Sequence, residues 1–189
     1  MFHKIINNFI TSEECDQLID MGMSHSLIQM KSSKFVDGKL VDSNLEYNGN
    51  KRMGTYFIDE FLLEPVLKKL TSEILEQSNY LKPFNSIEYI KVLKYSFNKY
   101  SEGDFLEWHE DKHEIVSGAT ITYILQLNDD YEGGEVKYII EGIEYIVPKI
   151  KGSVFIFDSN ITHSVDPIKS GIRYSINVWP TSVKKISLI

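Results

Sequence analysis

The stretch ATITYILQLNDDYEGGEVKYIIEGIEYIV, residues 119–147, decides the fold class of this chain. Its apolar runs are rich in isoleucine, valine, tyrosine and threonine, the residue types that fit a pleated strand. Turn residues separate the runs at Asn128, Gly133-Gly134 and Gly142. Short runs at this spacing predict antiparallel strands joined by tight turns, as in a sandwich or barrel, rather than strands that alternate with helices.

Segments of the same character lie on both sides of this stretch. They are residues 86–97, 152–158 and 173–179, and several of them alternate polar and apolar side chains. The sequence therefore predicts a mainly β protein with some helix, built on a jelly-roll core, or double-stranded β-helix, over about residues 87–180.

A first helix is predicted over residues 7–22. Either Thr11 or Ser12 caps its start, and Glu14 follows three residues after Thr11, as in a capping box. The glycine at the end of this range, Gly22, is the expected stop signal.

A second helix is predicted over residues 59–80, with Pro65 near its first turn. The part before the jelly roll, about residues 1–86, thus supplies two helices that we expect to brace one face of the sheet. Between the helices, the polar segment 31–54 is predicted to be either a short hairpin or a mobile loop, and we expect it to contribute to substrate specificity.

Length and composition fit a single domain over residues 1–189. The formal net charge of −7 disfavours nucleic acid as a partner, since phosphate binding usually requires a basic surface. With Cys15 as the only cysteine, no internal disulfide can form, which favours a reducing compartment. No apolar run approaches the roughly 18 residues of a membrane span. We expect a soluble cytoplasmic protein with no membrane partner, and the sequence leaves its oligomeric state open.

The stretch DFLEWHEDKHE, residues 104–114, concentrates imidazoles and carboxylates. In an extended segment, residues two apart point to the same side, so His109 and Asp111 would project together toward a metal ion. His113 would continue this row and is a rival ligand. We discount it because the residues that follow Asp111 are typical of the end of a strand and a turn.

A third ligand must come from elsewhere in the chain. His163 is the best candidate, since it follows a predicted strand at a turn, whereas His3 lies at the chain end and His25 just after the first helix. Two histidines and one carboxylate leave the remaining coordination positions open, which is the arrangement of non-haem Fe(II) oxygenases.

Arg173 lies ten residues after His163, on a predicted strand where Ser175 and Asn177 share its face. A guanidinium that points into an apolar barrel is unfavourable unless it meets an anion. Because its planar fork matches a carboxylate, Arg173 is predicted to anchor an acidic co-substrate.

Four segments taken in order carry a resemblance to a known family. They are YSEGDFLEWHED at 100–111, YEGGEV at 131–136, GSVFIFDSNITHSV at 152–165 and GIRYSINVW at 171–179. Together they resemble the iron- and 2-oxoglutarate-dependent dioxygenases, in the prolyl 4-hydroxylase-like branch. The resemblance covers about half of the chain, and KRMGTYFID at 51–59 extends it more weakly.

The resemblance implies that His109, Asp111 and His163 bind Fe(II). It also implies that Arg173 binds the distal carboxylate of 2-oxoglutarate and that Tyr100 lines and hydrogen-bonds the same pocket. Dioxygen would be the second co-substrate, and ascorbate is a further candidate cofactor. Animal and plant prolyl 4-hydroxylases usually carry lysine where this chain has arginine, which weakens any expectation of a collagen-like substrate.

The leading hypothesis is therefore a dioxygenase that hydroxylates an unactivated C–H bond on a prolyl residue of a peptide or protein. Alternatives are a hydroxylase of a free amino acid or another small molecule, a nucleic-acid demethylase and a non-catalytic jelly roll that binds a ligand. The demethylase is disfavoured by the acidic charge and by RYSINVW, which lacks the second arginine of those enzymes.

Two further residues are candidates for substrate contact. Arg52 follows Lys51 in a pair that is either a solvated face or part of a substrate loop. Trp179 ends the last apolar run and is expected to serve either core packing or substrate contact.

Overall fold

A computed structural model describes residues 2–29, 33–36, 39–42, 50–58, 64–78, 90–111 and 121–182. The described residues contain two helices, α1 (Ser12–Met23) and α2 (Glu64–Ser78). They also contain the strands β1 His3–Ile6, β2 Ile28–Gln29, β3 Ser33–Val36, β4 Lys39–Asp42, β5 Asn50–Lys51, β6 Met53–Ile58, β7 Ile90–Tyr100, β8 Phe105–His109, β9 Ile121–Gln126, β10 Glu132–Gly133, β11 Val136–Ile140, β12 Ile143–Ile146, β13 Val154–Asp158, β14 His163–Val165, β15 Ile168–Ser170 and β16 Arg173–Ser182.

Most strands belong to two antiparallel sheets. The larger sheet has the order β1-β13-β9-β16-β7-β6-β2, and the smaller one has the order β12-β11-β14-β8-β5. Two short pairs, β10-β15 and β3-β4, complete the described strands. The prediction of a mainly β chain with antiparallel sheets is confirmed.

The two sheets pack face to face around one apolar cluster. Ile124, Phe155 and Phe157 enter it from the larger sheet, and Leu106 and Val165 enter it from the smaller sheet. Because side chains alternate along a strand, the intervening residues of the larger sheet point to its other face. This enclosed space between the sheets is where the candidate site lies.

A second cluster covers the other face of the larger sheet. It joins Leu18 of α1 and Leu70 of α2 to Val154, Ile156 and other residues of the sheet. Strand β13 is therefore buried on both faces over residues 154–157, which explains why VFIF is an uninterrupted apolar run in the sequence.

The start of α1 follows the predicted capping box, but its end differs from the prediction. The Thr11 side chain accepts a hydrogen bond from the Glu14 backbone, and the Glu14 side chain accepts one from the Thr11 backbone. The helix continues past Gly22 to Met23. A Cβ atom at Gly22 would lie 2.4 Å from the Phe97 ring, so the glycine permits close helix–sheet packing instead of ending the helix.

The segment between the helices contains a hairpin in its described part. Strands β3 and β4 pair antiparallel, with Ser33 opposite Asp42 and Val36 opposite Lys39. Farther along, β5 joins the smaller sheet and β6 joins the larger one. Residue 52 is therefore held between the two sheets by strands on both sides. Within the described residues, no helix is long and apolar enough to cross a membrane.

Candidate active site

Two neighbouring strands of the smaller sheet bring the candidate ligands together. His109 ends β8 and His163 begins β14, and the antiparallel register places these two residues opposite each other. Their rings lie 4.1 Å apart between centroids. Asp111 lies just beyond the end of β8, where its backbone N–H donates to the carbonyl of Ser159 at 3.0 Å. The predicted pair thus reaches one point, although Asp111 itself is not part of the strand.

The three side chains form a compact cluster that is mostly buried. One ligand atom from each lies within 4.8 Å of the others. His109 Nε2 is 3.4 Å from Asp111 Oδ1, and His163 Nε2 is 3.7 Å from Asp111 Oδ2. His163 and Asp111 are buried, while the side chain of His109 is 30% exposed, which leaves one side of the cluster open to a small molecule.

Both imidazoles are held in the form that a metal ion requires. His109 Nδ1 lies 2.8 Å from the carbonyl of Glu107, and His163 Nδ1 lies 3.0 Å from the carbonyl of Ile161. Since a carbonyl oxygen only accepts, each Nδ1 carries the proton and each Nε2 presents a lone pair to the cluster. His163 Nε2 is buried and has no hydrogen-bond partner in the part of the chain that the structure describes, so a bound cation would satisfy it.

The protonation states also suit metal binding. Burial alone would raise the pKa of Asp111, but His163, His109 and the indole N–H of Trp179 together hold it below its usual value. Burial lowers the pKa of His163 to about 4, against a smaller opposing effect of Asp111. Near neutral pH the cluster therefore offers an ionised carboxylate and a neutral buried imidazole, the forms that bind a metal.

Two residues that were not predicted to act on the metal ligands orient the Asp111 carboxylate. Thr122 Oγ1 donates to Asp111 Oδ2 at 2.9 Å, and Trp179 Nε1 donates to the same oxygen at 3.1 Å. Oδ2 is thus fixed by hydrogen bonds, while Oδ1 faces His109. The sequence predicted either core packing or substrate contact for Trp179, and neither role includes this hydrogen bond to Asp111. A signal for Thr122 existed in the sequence, because it is a polar residue on the site-facing side of an apolar strand.

Arg173 lies at the start of β16, directly opposite Tyr100 of β7. It is only 1% exposed. Its Nη1 donates to Ser175 Oγ and its Nη2 to Gln126 Oε1, both at 3.1 Å, and its Cζ lies 5.1 Å from the centre of the Tyr100 ring. Among the described residues no carboxylate pairs with this guanidinium, and its Nε is buried without a partner. The surroundings of Arg173 therefore fit a ligand carboxylate.

The predicted row Arg173, Ser175 and Asn177 is buried along its whole length. Gln126, which the sequence reasoning missed, joins this row from the neighbouring strand and also donates to the Tyr131 hydroxyl at 2.8 Å. These neutral polar partners hold the arginine in place without neutralising its charge.

Arg52 is also buried, at 8% exposed, so the alternative of a solvated face is wrong for this residue. Its Nε donates to Asn98 Oδ1 at 3.0 Å, and its Cζ lies 5.8 Å from the centre of the Tyr100 ring. The charge of Arg52 also makes a small contribution to lowering the pKa of His163.

The other histidines take no part in the described cluster. His3 is exposed on β1, where its ring lies 5.4 Å from that of Tyr138. His25 is exposed after α1 and contacts the carbonyl of Met21 through Nδ1. His113, the rival ligand, lies outside the described residues.

Part of the chain matches a known protein family. Residues 95–181, which include all three cluster residues and Arg173, match the model of the 2OG-Fe(II) oxygenase superfamily. Curated relatives of the chain are named PKHD-type hydroxylases, and similar solved structures are those of prolyl hydroxylases. These findings agree with the resemblance drawn from the sequence.

Among curated relatives, a PKHD-type hydroxylase of Synechococcus sp. (strain CC9902) is 32% identical over 122 residues, which cover 60% of this chain and 53% of the relative. Other matched PKHD-type hydroxylases, from two further Synechococcus strains and Stenotrophomonas maltophilia, are covered over only 33% to 45% of their length. This chain thus spans a third to about half of the length of these relatives.

Solved structures of prolyl hydroxylases share the fold. A prolyl 4-hydroxylase of Pseudomonas putida superposes with a TM-score of 0.70 at 15% identity, covering 96% of this chain and 92% of the other. A prolyl hydroxylase of Trichoplax adhaerens, in complex with a hypoxia inducible factor peptide, superposes with a TM-score of 0.69 at 19% identity, covering 95% and 83%. The jelly-roll fold class is supported by these neighbours.

Proposed function

We propose that this protein is an Fe(II)- and 2-oxoglutarate-dependent dioxygenase that hydroxylates an unactivated C–H bond. The observation that carries the proposal is the convergence of two imidazole Nε2 atoms and the Asp111 carboxylate within 4.8 Å, on the same chain as a buried arginine that has no carboxylate partner among the described residues. The match of residues 95–181 to the model of the 2OG-Fe(II) oxygenase superfamily supports both cofactors.

In this proposal His109, Asp111 and His163 hold the iron. The carbonyls of Glu107 and Ile161 keep each Nε2 available for the metal. Thr122 and Trp179 hold the Asp111 carboxylate in a fixed orientation, so that Oδ1 remains available to the metal. When bound, Fe(II) and 2-oxoglutarate supply a dioxygen-derived oxidant that can hydroxylate an unreactive C–H bond, with succinate and carbon dioxide as co-products.

Arg173 would bind the distal carboxylate of 2-oxoglutarate through its guanidinium, and Tyr100 would line the same pocket. The support is that Arg173 is almost fully buried, oriented by Ser175 and Gln126, and lies over the Tyr100 ring. A buried cation with neutral neighbours binds an anion strongly, because the bond is charge-assisted and water is excluded.

The substrate that we place first is a prolyl residue in a peptide or protein, followed by a free amino acid or another small molecule. The Trichoplax structure contains a peptide, and the relatives carry the name of prolyl or PKHD-type hydroxylases. Arg52 is the candidate substrate contact. We further propose that ascorbate supports turnover, that the protein acts in the cytoplasm and that residues 1–189 form one domain.

The helices are proposed to brace the larger sheet. Leu18 and Leu70 pack in the same cluster as Val154 and Ile156 of that sheet. This packing keeps the larger sheet rigid where its other face carries Arg173 and Tyr100, which suits a site that must be pre-organised.

A turnover screen tests the function. Purified protein with Fe(II), 2-oxoglutarate and ascorbate is incubated in air with proline-containing peptides, free amino acids and methylated oligonucleotides, and succinate is measured. We expect substrate-dependent succinate release, with a mass increase of one oxygen atom on a peptide or amino acid. A protein that binds ligands but forms no succinate with any of them would instead be a non-catalytic jelly roll.

A further inference from the structure

Arg52 is a second buried arginine of the site, and its charge is not compensated by the residues described around it. It is 8% exposed, and its only hydrogen bond within the described part of the chain is from Nε to Asn98 Oδ1. Its Nη1 is buried and has no hydrogen-bond partner among the described residues. The end of the guanidinium that best binds carboxylates is therefore unused.

The neighbours of Arg52 on the larger sheet are neutral. Asn98 donates through Nδ2 to the carbonyl and hydroxyl of Ser96, at 3.2 and 3.1 Å, and it lies opposite Ser175 in the strand pairing. Asp111, the buried carboxylate of the metal cluster, is bonded by other residues. None of these neighbours supplies the negative charge that a buried guanidinium requires.

A purely structural role explains only part of this arrangement. Asn98 is already held by two bonds to Ser96, so the bond from Arg52 is not needed to orient it. A neutral donor at position 52 would serve Asn98 equally well without the free-energy cost of an unpaired buried charge. The cationic group is thus expected to serve a ligand.

We propose that Arg52 binds a carboxylate of the primary substrate, so that the protein acts on molecules that carry a carboxylate close to the hydroxylated carbon. This inference rests on the proposed function. Arg173 matches the distal carboxylate of 2-oxoglutarate, and Arg52 offers a separate cation over the same Tyr100 ring. The carboxylate is either the α-carboxylate of an amino acid or peptide end, or the side chain of an acidic residue.

The experiment compares acids with matched neutral ligands. The protein is loaded anaerobically with Fe(II) and saturating 2-oxoglutarate, so that the Arg173 position is filled. Calorimetric titrations then use N-acetyl-L-proline, N-acetyl-L-prolinamide and N-acetyl-L-aspartic acid α-methylamide. We expect at least one acid to bind roughly tenfold or more tightly than the amide, as a charge-assisted bond implies. The first and third ligands distinguish an α-carboxylate from a side-chain carboxylate.

Two substitutions at position 52 and one control complete the test. Arg52→Met should abolish the preference for acids, and Arg52→Lys should retain part of it because the charge remains. The control Lys68→Met removes a cation that is exposed on α2 and should leave the preference unchanged. Equal binding of acid and amide by the wild type, no measurable binding of either acid, or a preference that survives in Arg52→Met would each overturn the proposal.

Binding of 2-oxoglutarate to Arg52→Met separates a substrate contact from a cofactor contact. We expect the affinity for 2-oxoglutarate to change by less than about threefold. This is well under the loss of affinity expected when one charge-assisted hydrogen bond is removed. A loss of tenfold or more would make Arg52 a cofactor residue and contradict the inference. A wild type that binds neither iron nor 2-oxoglutarate contradicts the proposed function itself, whereas one that binds both without preferring acids contradicts only the inference about Arg52.

Discussion

The two faces of the larger sheet are made by the same strands but differ in chemistry. On β16, Ile176 and Val178 point toward the helices and belong to the cluster that contains Leu18. The alternate residues Arg173, Ser175 and Asn177 face the space between the sheets. The helix side is apolar, whereas the site side combines apolar residues such as Phe155 with buried polar and charged groups.

This difference indicates what each face contributes. The helix side stabilises the fold through apolar burial. On the site side, His163 Nε2, Arg52 Nη1 and Arg173 Nε are three of the five buried side-chain atoms for which the described structure contains no hydrogen-bond partner. Such atoms destabilise the ligand-free protein and favour binding of a metal and anions. Substitutions on the two faces should therefore have separable effects.

The largest expected effect is on the site side. Replacing His163 by alanine removes a buried ligand atom and leaves the cluster with two, so the protein should lose stoichiometric Fe(II) after anaerobic loading and desalting, as measured by elemental analysis. The matched control is His25→Ala, which removes an exposed histidine after α1. Unchanged iron content in His163→Ala would contradict the ligand assignment.

On the helix side, Leu18→Ala should lower the free energy of unfolding by about 2–5 kcal/mol, because a fully buried leucine leaves a cavity. Urea denaturation of the apo protein measures this loss. Under native conditions the iron content of the folded protein should equal that of the wild type. If Leu18→Ala lost iron without losing stability, the two faces would not act separately.

The dryness of the helix side also predicts the behaviour of Cys15. Burial raises the pKa of its thiol to about 11, so the thiolate fraction at pH 8 should be about 100-fold smaller than for a thiol with a pKa of 9. Alkylation by iodoacetamide should accordingly be slow in the folded protein and accelerate as the pH rises toward 11. The urea-unfolded chain is the control. Equal rates in the folded and unfolded states at pH 8 would show that this face is open to water.

The smallest effect concerns the support of the metal cluster. Trp179→Phe keeps an aromatic ring but removes the N–H that donates to Asp111 Oδ2. Iron affinity should fall by about tenfold, since lost outer hydrogen bonds to metal ligands usually cost 10- to 100-fold. Competition with a chromogenic chelator measures the change.

Thr122→Val removes the other hydrogen bond to Asp111 Oδ2 and should have a similar effect on iron affinity. An unchanged affinity in both variants would mean that these bonds do not position the carboxylate.

Local patterns predicted the parts of the site that are close in sequence. His109 and Asp111 are two residues apart, and Arg173 shares a strand face with Ser175. The alternation of side chains along a strand was therefore enough to predict them as site residues. Local patterns were not enough to place His163, because its position opposite His109 depends on the pairing of β8 with β14. The mainly β fold was predictable for the same local reason.

Contacts between distant segments could not be predicted in this way. Trp179 reaches Asp111 across 68 positions of the chain, and Arg52 reaches Asn98 across 46. Trp179 lies on β16 of the larger sheet, whereas Asp111 follows β8 of the smaller sheet, and Arg52 lies between β5 and β6. Both contacts therefore depend on strand pairing and on how the two sheets pack together. The role of Gly22 was mistaken for the same reason, since the Phe97 ring that excludes a side chain there belongs to a strand far along the sequence.

The most direct test of the central claim is a calorimetric titration of 2-oxoglutarate under anaerobic conditions. It compares the apo protein, the iron-loaded wild type and iron-loaded Arg173→Met. The wild type should bind one 2-oxoglutarate per chain, more tightly with iron than without it. Arg173→Met should retain its iron and lose about tenfold or more in affinity for 2-oxoglutarate, as expected for loss of a buried charge-assisted contact. Binding that depends on neither iron nor Arg173 would contradict the account.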